Sequence, residues 1–318
     1  MILVVTPTPP DSPNGNGVTA RRWVGILRVL GHQVDLAQDY QAGDYDLLVA
    51  LHAVKSAAAV RAFHADHPAA PVVIALTGTD LYPDLRATGV EPGVLAIARR
   101  LVVLQQHGKG QVPPELRDRV RVIFQSMTAI PPVPPDPDCY EVAFLAHLRP
   151  VKDPLLLAAA VQYLPATSRI RVSHVGEGRD PALASQAATA SSAGSGRYAW
   201  LGPLPRPQAL RVLARSRLLA VTSVHEGGAN VVTEALAFGV PVISTKIPGS
   251  TGLLGDDYPG YFRVGDPRDL ARVLGAAEED RDGFYQLLLR RCEKLRHLAD
   301  PARERDAWAA LLAELDVR

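Results

Sequence analysis

Short apolar runs alternate along this chain with longer segments of helical periodicity, and this alternation restricts the fold more than any other feature. Val, Ile and Leu dominate the short runs with little polar alternation, which is typical of strands buried on both faces of a sheet. Residues 18–30, closed by Gly31, and residues 154–164 follow helical spacing. We therefore predict an α/β fold with parallel, doubly wound sheets. The predicted strands are residues 2–6, 34–37, 46–52, 71–77, 101–105, 120–125, 142–146, 170–175, 218–224 and 241–245.

A proline-rich segment interrupts the alternation once, at residues 131–138, where five of the eight residues are proline. Such a run continues neither a helix nor a central strand, so we interpret it as a stiff, extended linker. A peptide ligand for a polyproline-binding domain is the alternative interpretation. The linker divides the chain into Rossmann-like domains of residues 1–130 and 139–280. A helical tail of residues 281–318 follows, and we expect it to pack back across the domains.

Composition narrows the class of protein. A length of 318 residues favours two domains. The 34 Lys and Arg residues nearly balance the 33 Asp and Glu residues, which argues against a dedicated nucleic-acid-binding protein. The two cysteines cannot form a disulfide framework, the longest apolar run (residues 155–161) is much shorter than a membrane span, and no signal peptide is visible. We therefore expect a cytoplasmic enzyme with neither a nucleic-acid partner nor stable membrane association.

Residues 222–243 carry the most informative motif: a buried strand, a glycine-rich turn and a helix that begins near Asn230. Ligands of open α/β sheets bind at the carboxyl ends of the strands, and the first amides of the following helix suit a diphosphate. Glu226 precedes the helix and can face a ligand, whereas Glu234 lies further inside and can reach the hydroxyls of a ribose. A helix with two solvated glutamates is the alternative, but it leaves the glycine-rich turn unexplained. The residues expected to contact a donor nucleotide here are Gly227, Gly228, Ala229, Asn230, Val231 and Glu234.

The spacing of these glutamates resembles that of a known enzyme family. Glu226 and Glu234, followed by Gly-Val-Pro-Val at residues 239–242, resemble the signature of the large family of retaining GT-B glycosyltransferases. The resemblance implies two Rossmann-like domains that face a cleft, with the N-terminal domain binding the acceptor and the C-terminal domain binding a nucleotide sugar. It also implies that Glu234 binds the nucleotide ribose and that Glu226 is a catalytic residue in contact with the transferred sugar.

A second element, residues 146–154, follows the first strand of the C-terminal half. The resembled family has an Arg and a Lys at this place, and these cations neutralise the departing diphosphate. Lys152 matches the family Lys, so we predict a catalytic and donor-binding role for it. His147 stands at the position of the family Arg and Arg149 lies two residues later; either can supply the second donor group, and we assign Arg149 to donor binding. Surface charges at a helix start are the alternative, although cations are disfavoured there unless an anion is bound.

The N-terminal half supplies candidates for the acceptor side. Residues 13–23 predict a Gly/Asn loop between the first strand and the first helix, and the resemblance implies that the Gly17 amide binds the donor diphosphate; a plain turn is the alternative. Residues 51–56 and 76–82 lie at strand ends on one edge of the predicted sheet. His52 is the catalytic candidate there, with a satisfied structural histidine as the alternative. The acceptor-binding candidates are Asn16, Arg21, Arg22, Lys55, Thr79 and Asp80.

Several motifs that would indicate other enzymes are missing from the sequence. It has neither the Gly-x4-Gly-Lys-Ser/Thr motif of NTPases nor the full Gly-x-Gly-x-x-Gly motif of NAD-dependent dehydrogenases. Two Asp-x-Asp strings, at residues 44–46 and 136–138, precede a strand and lie in the linker, without a set of further ligands. We therefore predict no metal and no cofactor, because fixed cations and helix amides are sufficient to hold a diphosphate.

Segments spread over nearly the whole chain resemble a narrower family. Residues 6–10, 14–17, 19–23, 50–53, 76–82, 101–105 and 125–126 together resemble the selenosugar synthases of bacterial selenoneine biosynthesis. The resemblance implies UDP-N-acetylglucosamine or UDP-glucose as donor and selenophosphate as acceptor, giving a 1-selenosugar with loss of UDP and phosphate. It also implies functional coupling to a selenophosphate synthetase and to a downstream selenoneine synthase. The cations that we expect to hold the acceptor are Arg21, Arg22 and Lys55.

Three other functions stay open at this point: a GT-B glycosyltransferase with a conventional hydroxyl acceptor, a UDP-sugar 2-epimerase of the same architecture, and a nucleotide-sugar sensor without catalysis. A lipid acceptor would favour an exposed basic and hydrophobic helix for docking, whereas residues 18–30 carry only three arginines. Glu226, Glu234 and Lys152 argue against a sensor. The motif is typical of enzymes that retain the anomeric configuration, but a selenium nucleophile leaves either outcome open.

Overall fold

The computed structural model describes residues 1–85, 87–193 and 196–317, and these residues form two compact units. Unit 1 comprises Met1–Ser126, Glu226–Asn230 and the chain from Asp300 onward. Unit 2 comprises Met127–His225 and Val231–Ala299. The proline-rich residues 131–138 therefore lie inside unit 2, because the chain leaves unit 1 directly after Ser126.

Unit 1 is built on a parallel sheet. Its strands in the described residues are β1 (Ile2–Val5), β2 (Val34–Ala37), β3 (Leu47–Leu51), β4 (Val72–Leu76), β5 (Arg100–Val103) and β6 (Val120–Val122). They lie in the order β2-β1-β3-β4-β5-β6. The accompanying helices are α1 (Gly15–Val29), α2 (Ala57–Asp66), α3 (Pro92–Ile97) and α4 (Gly108–Gln111), with a 3-10 helix at Pro114–Arg119.

Strand β1 shows why such apolar runs form the interior. Its four residues are all buried, with Leu3 and Val5 in one hydrophobic cluster and Ile2 and Val4 in the other. Successive side chains of a strand point to opposite faces of the sheet, so an uninterrupted apolar run needs cover on both faces. The two clusters supply that cover and fix the strand in the middle layer of the unit.

Unit 2 contains the second parallel sheet. Its strands in the described residues are β7 (Tyr140–Leu145), β8 (Ile170–Val175), β9 (Tyr198–Trp200), β10 (Leu218–Val221), β11 (Val242–Thr245) and β12 (Tyr261–Phe262). They lie in the order β12-β11-β10-β7-β8-β9. The helices that follow them are α5 (Leu156–Ala160), α6 (Pro181–Ser192), α7 (Arg206–Arg215), α8 (Asn230–Phe238), α9 (Pro248–Leu254), α10 (Pro267–Glu278) and α11 (Phe284–Leu295).

These two parallel sheets with their helices confirm the predicted α/β fold class, and each of the ten predicted runs contains a strand. Strands β9 and β12 escaped prediction, because edge strands of three and two residues are too short to give an apolar run. The helix predicted over residues 154–164 is shorter than expected, since only Leu156–Ala160 is α-helical and Val161–Tyr163 is a 3-10 helix.

The last two long helices belong to different units. Helix α11 lies in unit 2, whereas α12 (Pro301–Glu314) lies in unit 1. In α12 the Trp308 ring packs edge-on against Trp23 of α1, with the ring centroids 4.9 Å apart. None of the helices within the described ranges is long and apolar enough to cross a bilayer.

Candidate functional site

The loop that follows β7 starts from a rigid support in unit 2. His174 of β8 donates from Nε2 to the Ala146 carbonyl at 2.9 Å and accepts at Nδ1 from the Tyr198 hydroxyl at 2.6 Å. Burial lowers the pKa of His174 to about 4, so the ring stays neutral and suits this pair of hydrogen bonds. A Cβ at Gly176 would lie 1.8 Å from the same carbonyl, so only glycine fits there.

His147, which stands where the resembled family has Arg, lies in this loop among cations. The Glu177 backbone N–H donates to His147 Nδ1 at 3.1 Å, so the neutral ring carries its proton on Nε2. Burial lowers the pKa of His147 to about 4. Nearby positive charges add to this effect and outweigh the opposing carboxylate of Glu177; the cations are Arg179, Lys152 and Arg149. Of these three cations, Arg179 is paired with the Glu177 carboxylate at 2.8 Å, so Lys152 and Arg149 are the cations of this loop that suit an anionic ligand.

Lys152 ends a short 3-10 helix, Pro150–Lys152, that is tied to the neighbouring strand β10. The Thr222 hydroxyl donates to the Lys152 carbonyl at 2.6 Å, and the Val224 N–H donates to the Val151 carbonyl at 2.9 Å. These bonds hold the loop at the carboxyl edge of the sheet, where open α/β folds bind ligands. The half-buried Arg149 guanidinium makes no hydrogen bond or ion pair with the part of the chain that the structure describes.

Glu234 lies in the second turn of α8 and is almost completely buried, with 6% of its side chain exposed. Its Oε1 accepts a hydrogen bond from Arg206 Nη2 at 2.7 Å. Arg206 is the first residue of α7, and its Nη2 also lies 3.9 Å from Met127 Sδ. The predicted ribose ligand is therefore a carboxylate with one oxygen already bound to an arginine.

Gly227 and Gly228 are required by packing within unit 1. A Cβ at Gly227 would lie 2.4 Å from the Thr77 carbonyl oxygen and 2.7 Å from Gly78 Cα. A Cβ at Gly228 would lie 2.5 Å from Leu104 Cβ. The space beside these glycines is thus filled by the protein itself, which accounts for their small size without the close ligand approach that we expected. Their predicted contact with the donor stays a prediction.

Asn230, the first residue of α8, is held by a polar network in unit 1. Its Oδ1 accepts from Arg22 Nη1 at 3.0 Å, and its Nδ2 donates to Thr19 Oγ1 at 3.2 Å. Gln125 accepts from Arg22 Nη2 at 2.9 Å and donates to the Gly228 carbonyl at 3.0 Å. The segment Glu226–Asn230 is therefore held in place at Gly227, Gly228 and Asn230. Within this segment, Glu226 is half-buried and Ala229 is buried.

Arg22 completes this network through Glu304 of α12, whose side chain is fully buried. Arg22 Nε donates to Glu304 Oε2 at 2.9 Å, and Trp23 Nε1 donates to Oε1 at 2.7 Å. Ser126 donates to Oε2 through its backbone N–H at 2.8 Å and its hydroxyl at 2.5 Å. All three nitrogens of the Arg22 guanidinium are therefore engaged inside unit 1, which argues against our expectation that Arg22 holds an acceptor anion.

The first loop of unit 1 is likewise stabilised from within. The Asn14 side chain caps α1 by accepting from the Gly17 N–H at 2.9 Å, so this amide is not available for the diphosphate that we predicted for it. A Cβ at Gly17 would also lie 2.3 Å from the Ser12 carbonyl oxygen. Arg21 donates to the carbonyls of Pro10 and Ser12, and thereby closes the loop. Asn16 is half-buried beside them.

His52 is buried and both of its ring nitrogens are engaged. The Lys55 backbone N–H donates to Nδ1 at 3.3 Å, so the neutral ring donates from Nε2 to Thr79 Oγ1 at 3.0 Å. Burial lowers the pKa of His52, against the raising effect of Asp80, and the ring is neutral at pH 7. The His52 backbone has a φ of 73°, a conformation that non-glycine residues seldom adopt away from functional sites. His52 therefore orients Thr79, and its catalytic role stays a prediction.

Asp80 is fully buried and shapes the two strand-end loops of this cluster. Its Oδ1 accepts from the Thr77 and Gly78 N–H groups at 3.0 and 2.8 Å, and its Oδ2 accepts from the Ala53 N–H at 2.9 Å. A carboxylate with three such donors supports the loops and has little left to offer an acceptor. Lys55 is exposed, and its ammonium group makes no hydrogen bond or ion pair within the described residues.

A protein-family model described as glycosyl transferases group 1 matches residues 129–303, which is more than half of the chain. The chain belongs to this family. The predicted glycosyltransferase family is thereby confirmed, whereas the roles of Glu226 and Glu234, the retaining outcome and the resemblance to selenosugar synthases stay predictions.

Solved structures confirm the GT-B fold of this group 1 glycosyltransferase family member. HepE (Alr3699) of Anabaena, solved in complex with UDP-glucose, gives a TM-score of 0.76 at 16% identity, over 98% of this chain and 99% of that chain. Sucrose-phosphate synthase of Thermosynechococcus elongatus gives a TM-score of 0.78 at 13% identity, over 99% and 98% of the two chains.

A sequence relative is the D-inositol 3-phosphate glycosyltransferase of Segniliparus rotundus, which is 33% identical over 131 residues. The alignment covers 40% of this chain and 29% of that protein, so the chain spans less than a third of the relative's length.

Two residues of this family member escaped the motif search although they contact predicted site residues. Arg206 binds Glu234, and Gln125 binds the Gly228 carbonyl. A local signal was available for Arg206, because a cation in the first turn of a helix opposes the helix dipole and indicates a nearby anion. Gln125 carries no such signal, since its partners lie about a hundred residues away along the chain.

Proposed function

We propose that this protein transfers a sugar from a UDP-sugar donor, UDP-N-acetylglucosamine or UDP-glucose, without a metal or another cofactor. The observation that carries the proposal is the loop after β7 in unit 2, which holds Lys152, Arg149 and His147 at the carboxyl edge of the sheet. Such a loop at the carboxyl edge of a parallel sheet suits a diphosphate. Family membership supports the same reaction class, and HepE, which has the same fold, binds UDP-glucose.

Each group of the donor site has a task in this reaction. As the bond between the sugar and the diphosphate breaks, negative charge grows on the leaving oxygen, and Lys152 and Arg149 lie in the loop proposed to meet it. The His147 Nε2–H adds a neutral donor. Glu234 accepts from the ribose hydroxyls, and Glu226 contacts the transferred sugar. The His147 ring and the Glu234 carboxylate are already held by hydrogen bonds, so these two groups need little reorganisation during the reaction.

For the acceptor we propose selenophosphate. Its selenium is already an anionic, soft nucleophile and needs no general base, whereas a hydroxyl acceptor profits from one. His52 is a poor base here, because both ring nitrogens are engaged and burial lowers its pKa. Selenium forms the bond to the anomeric carbon as UDP leaves with the bonding electrons. Water then cleaves the selenium–phosphorus bond, which gives the 1-selenosugar and phosphate.

The acceptor needs a cation, and Lys55 is the best placed of the three that the sequence indicated. Its ammonium group is exposed beside the His52–Thr79 pair, whereas Arg21 and Arg22 are bound to protein groups. Thr79 offers a hydroxyl whose orientation His52 fixes. In this proposal the protein works in the cytoplasm, downstream of a selenophosphate synthetase and upstream of a selenoneine synthase.

A phosphorylated polyol is the second candidate acceptor. The relative from Segniliparus rotundus is named for D-inositol 3-phosphate, and the same Lys55 could bind its phosphate. In that reaction a hydroxyl replaces selenium as the nucleophile, and phosphate stays on the product.

The deciding experiment offers the protein each UDP-sugar with selenophosphate, with D-inositol 3-phosphate, or with no acceptor, and identifies products by mass spectrometry. A selenium-containing sugar with equimolar UDP supports the first proposal, and a phosphorylated glycoside supports the second. Interconversion of the UDP-sugar without an acceptor would instead indicate a 2-epimerase. Tight UDP binding without turnover of any pair would indicate a sensor. Glu226→Gln serves as the matched variant, because it removes one charge and should abolish transfer while UDP still binds.

A further inference from the structure

The contact between Arg206 and Glu234 joins the start of α7 to the middle of α8 in unit 2. Arg206 Nη2 lies 2.7 Å from Glu234 Oε1, and 28 residues separate the two along the chain. The guanidinium is partly exposed, with 39% of its side chain accessible, whereas only 6% of the Glu234 side chain is accessible. The pair therefore has one solvated member and one buried member.

The position of Arg206 is unfavourable without this partner. It is the first residue of α7, directly after Pro205, where the unpaired amides of the helix carry partial positive charge. A nearly buried carboxylate such as Glu234 is equally costly without a cation. Each residue compensates for the placement of the other, so the pair is a built feature of the unit.

The geometry leaves half of the carboxylate available. Arg206 engages Oε1, and within the described residues no other hydrogen-bond donor reaches Glu234. A carboxylate held at one oxygen has a defined plane, so the direction in which Oε2 accepts is also defined. Such an acceptor suits a vicinal hydroxyl of a ribose better than a freely rotating carboxylate does.

We infer that Arg206 is a positioning residue that orients Glu234 for the ribose and thereby sets the preference for ribonucleotides over 2′-deoxyribonucleotides. The inference rests on the proposed UDP-sugar donor. It requires no contact between Arg206 and the ligand, since the arginine acts through the carboxylate. A site that hydrogen-bonds a substrate hydroxyl rejects the analogue without it, because the buried acceptor then stays unpaired.

The alternative is a purely structural role, in which the pair only joins α7 to α8. That role predicts that loss of Arg206 weakens UDP and 2′-deoxy-UDP equally, through reduced stability of the site. Positioning predicts a selective loss of UDP affinity. The ratio of the two dissociation constants therefore separates the roles.

The test measures UDP and 2′-deoxy-UDP binding by calorimetry for the full chain and for its variants. We expect the unaltered protein to prefer UDP by about tenfold or more, as one hydrogen bond to a charged group implies. Arg206→Gln should bring this preference to within about threefold, chiefly by weakening UDP. Arg206→Lys should restore part of it, because the charge remains while the planar geometry is lost. Arg211→Gln, an exposed arginine on the same helix, is the control and should change neither constant.

A double-mutant cycle gives the sharper result. Glu234→Gln alone should abolish the preference, and adding Arg206→Gln to it should have no further effect on the ratio. An unchanged ratio in Arg206→Gln, or equal weakening of both nucleotides with an unchanged melting temperature, would overturn the inference while leaving the proposed donor intact. Failure of the unaltered protein to bind either nucleotide would overturn both.

Discussion

The two units use their charged side chains in different ways. In unit 1 the charges serve the fold: Glu304 accepts from Arg22, Trp23 and Ser126, and Asp80 accepts from three backbone amides. In the loop of unit 2 around His147, three cations lie near one carboxylate, and they add to the burial that lowers the pKa of that histidine. A charge that the protein itself satisfies contributes to stability, whereas a concentration of like charge is costly unless an anionic ligand is to be bound.

Hydrogen bonding within the protein separates candidate residues that the sequence does not distinguish. Arg22 and Arg149 are both arginines near predicted ligand sites, and the sequence ranks them alike. Only the structure separates them, because every nitrogen of the Arg22 guanidinium is engaged while Arg149 has no hydrogen-bond partner within the described residues. Charges that the protein itself pairs should therefore govern stability, whereas cations such as Arg149 and Lys55 have capacity left for a ligand.

The largest expected effect is on stability, from Glu304→Gln in α12. The substitution leaves the Arg22 charge in a site with 17% exposure without its carboxylate, and removing one partner of a buried pair costs about 3–5 kcal/mol. Urea unfolding measures this loss. Glu314→Gln is the control on the same helix, because Glu314 pairs with Arg100 and Arg121 near the surface, where such pairs contribute about 0–1 kcal/mol. Equal losses in the two variants would show that the Glu304 network contributes no more to the free energy of unfolding than a surface ion pair does.

Next in size is the effect of Lys152→Met on transfer. Removing one fixed group that stabilises growing charge lowers turnover by about 10²- to 10³-fold, because the leaving diphosphate loses its stabilisation in the transition state. The main-chain bond of Lys152 that holds the loop is kept in this variant, and its free energy of unfolding is measured beside its turnover. Steady-state assays beside urea unfolding measure both quantities. Lys109→Met, at an exposed lysine of unit 1, is the control and should keep full activity. A stable Lys152→Met variant with normal turnover would contradict the donor assignment.

A third prediction concerns acid and the two histidines of the unit 2 loop. The pKa values of His147 and His174 are both about 4 in the folded protein, below the ordinary value of 6.5. The unfolded chain therefore binds more protons than the folded one between pH 6.5 and 4. Stability is fully present above pH 6.5 and falls as the pH drops, by up to about 1.4 kcal/mol per pH unit for the well-buried His174.

Urea unfolding at pH 7 and pH 5 measures this loss. A His174→Gln variant should show a smaller difference between the two pH values than the unaltered protein does. His32→Gln, at a half-buried histidine of unit 1, should leave the difference unchanged. The same pH dependence in all three proteins would mean that other groups control acid unfolding.

Sequence patterns predicted the fold well because the burial of a strand is visible in its own residues. An uninterrupted apolar run such as Ile2–Val5 indicates that both faces of the strand are covered by other parts of the protein. Strand β9 was not predicted, because an edge strand of three residues is too short to show such a run. The same limit applies to the site. The sequence predicted that Gly227 and Gly228 contact a ligand, but it could not show that Thr77, Gly78 and Leu104 fill the space beside them.

The sequence does not show which hydrogen-bond partner each group has in the folded protein. Whether the Gly17 amide meets a ligand or the Asn14 side chain depends on loop geometry, and the structure gives it to Asn14. Glu234 was selected from its spacing, yet its bond to Arg206 required the fold to bring the start of α7 to the middle of α8. Residue type and spacing therefore predict which groups matter, whereas hydrogen bonding decides which of them have capacity left for a substrate.

The smallest expected effect compares two cations of unit 1, Lys55 and Arg21. Lys55→Gln should raise the KM for the anionic acceptor about tenfold, which corresponds to about 1.4 kcal/mol, and leave the KM for the donor unchanged. Arg21→Gln should change the acceptor KM less than about twofold, because its guanidinium already donates to the Pro10 and Ser12 carbonyls. Initial rates at varied acceptor concentration measure both. Should Arg21→Gln prove the more damaging variant for the acceptor alone, an arginine hydrogen-bonded to the protein would still be serving the substrate. Internal hydrogen bonding would then no longer separate structural cations from ligand-binding ones in this chain.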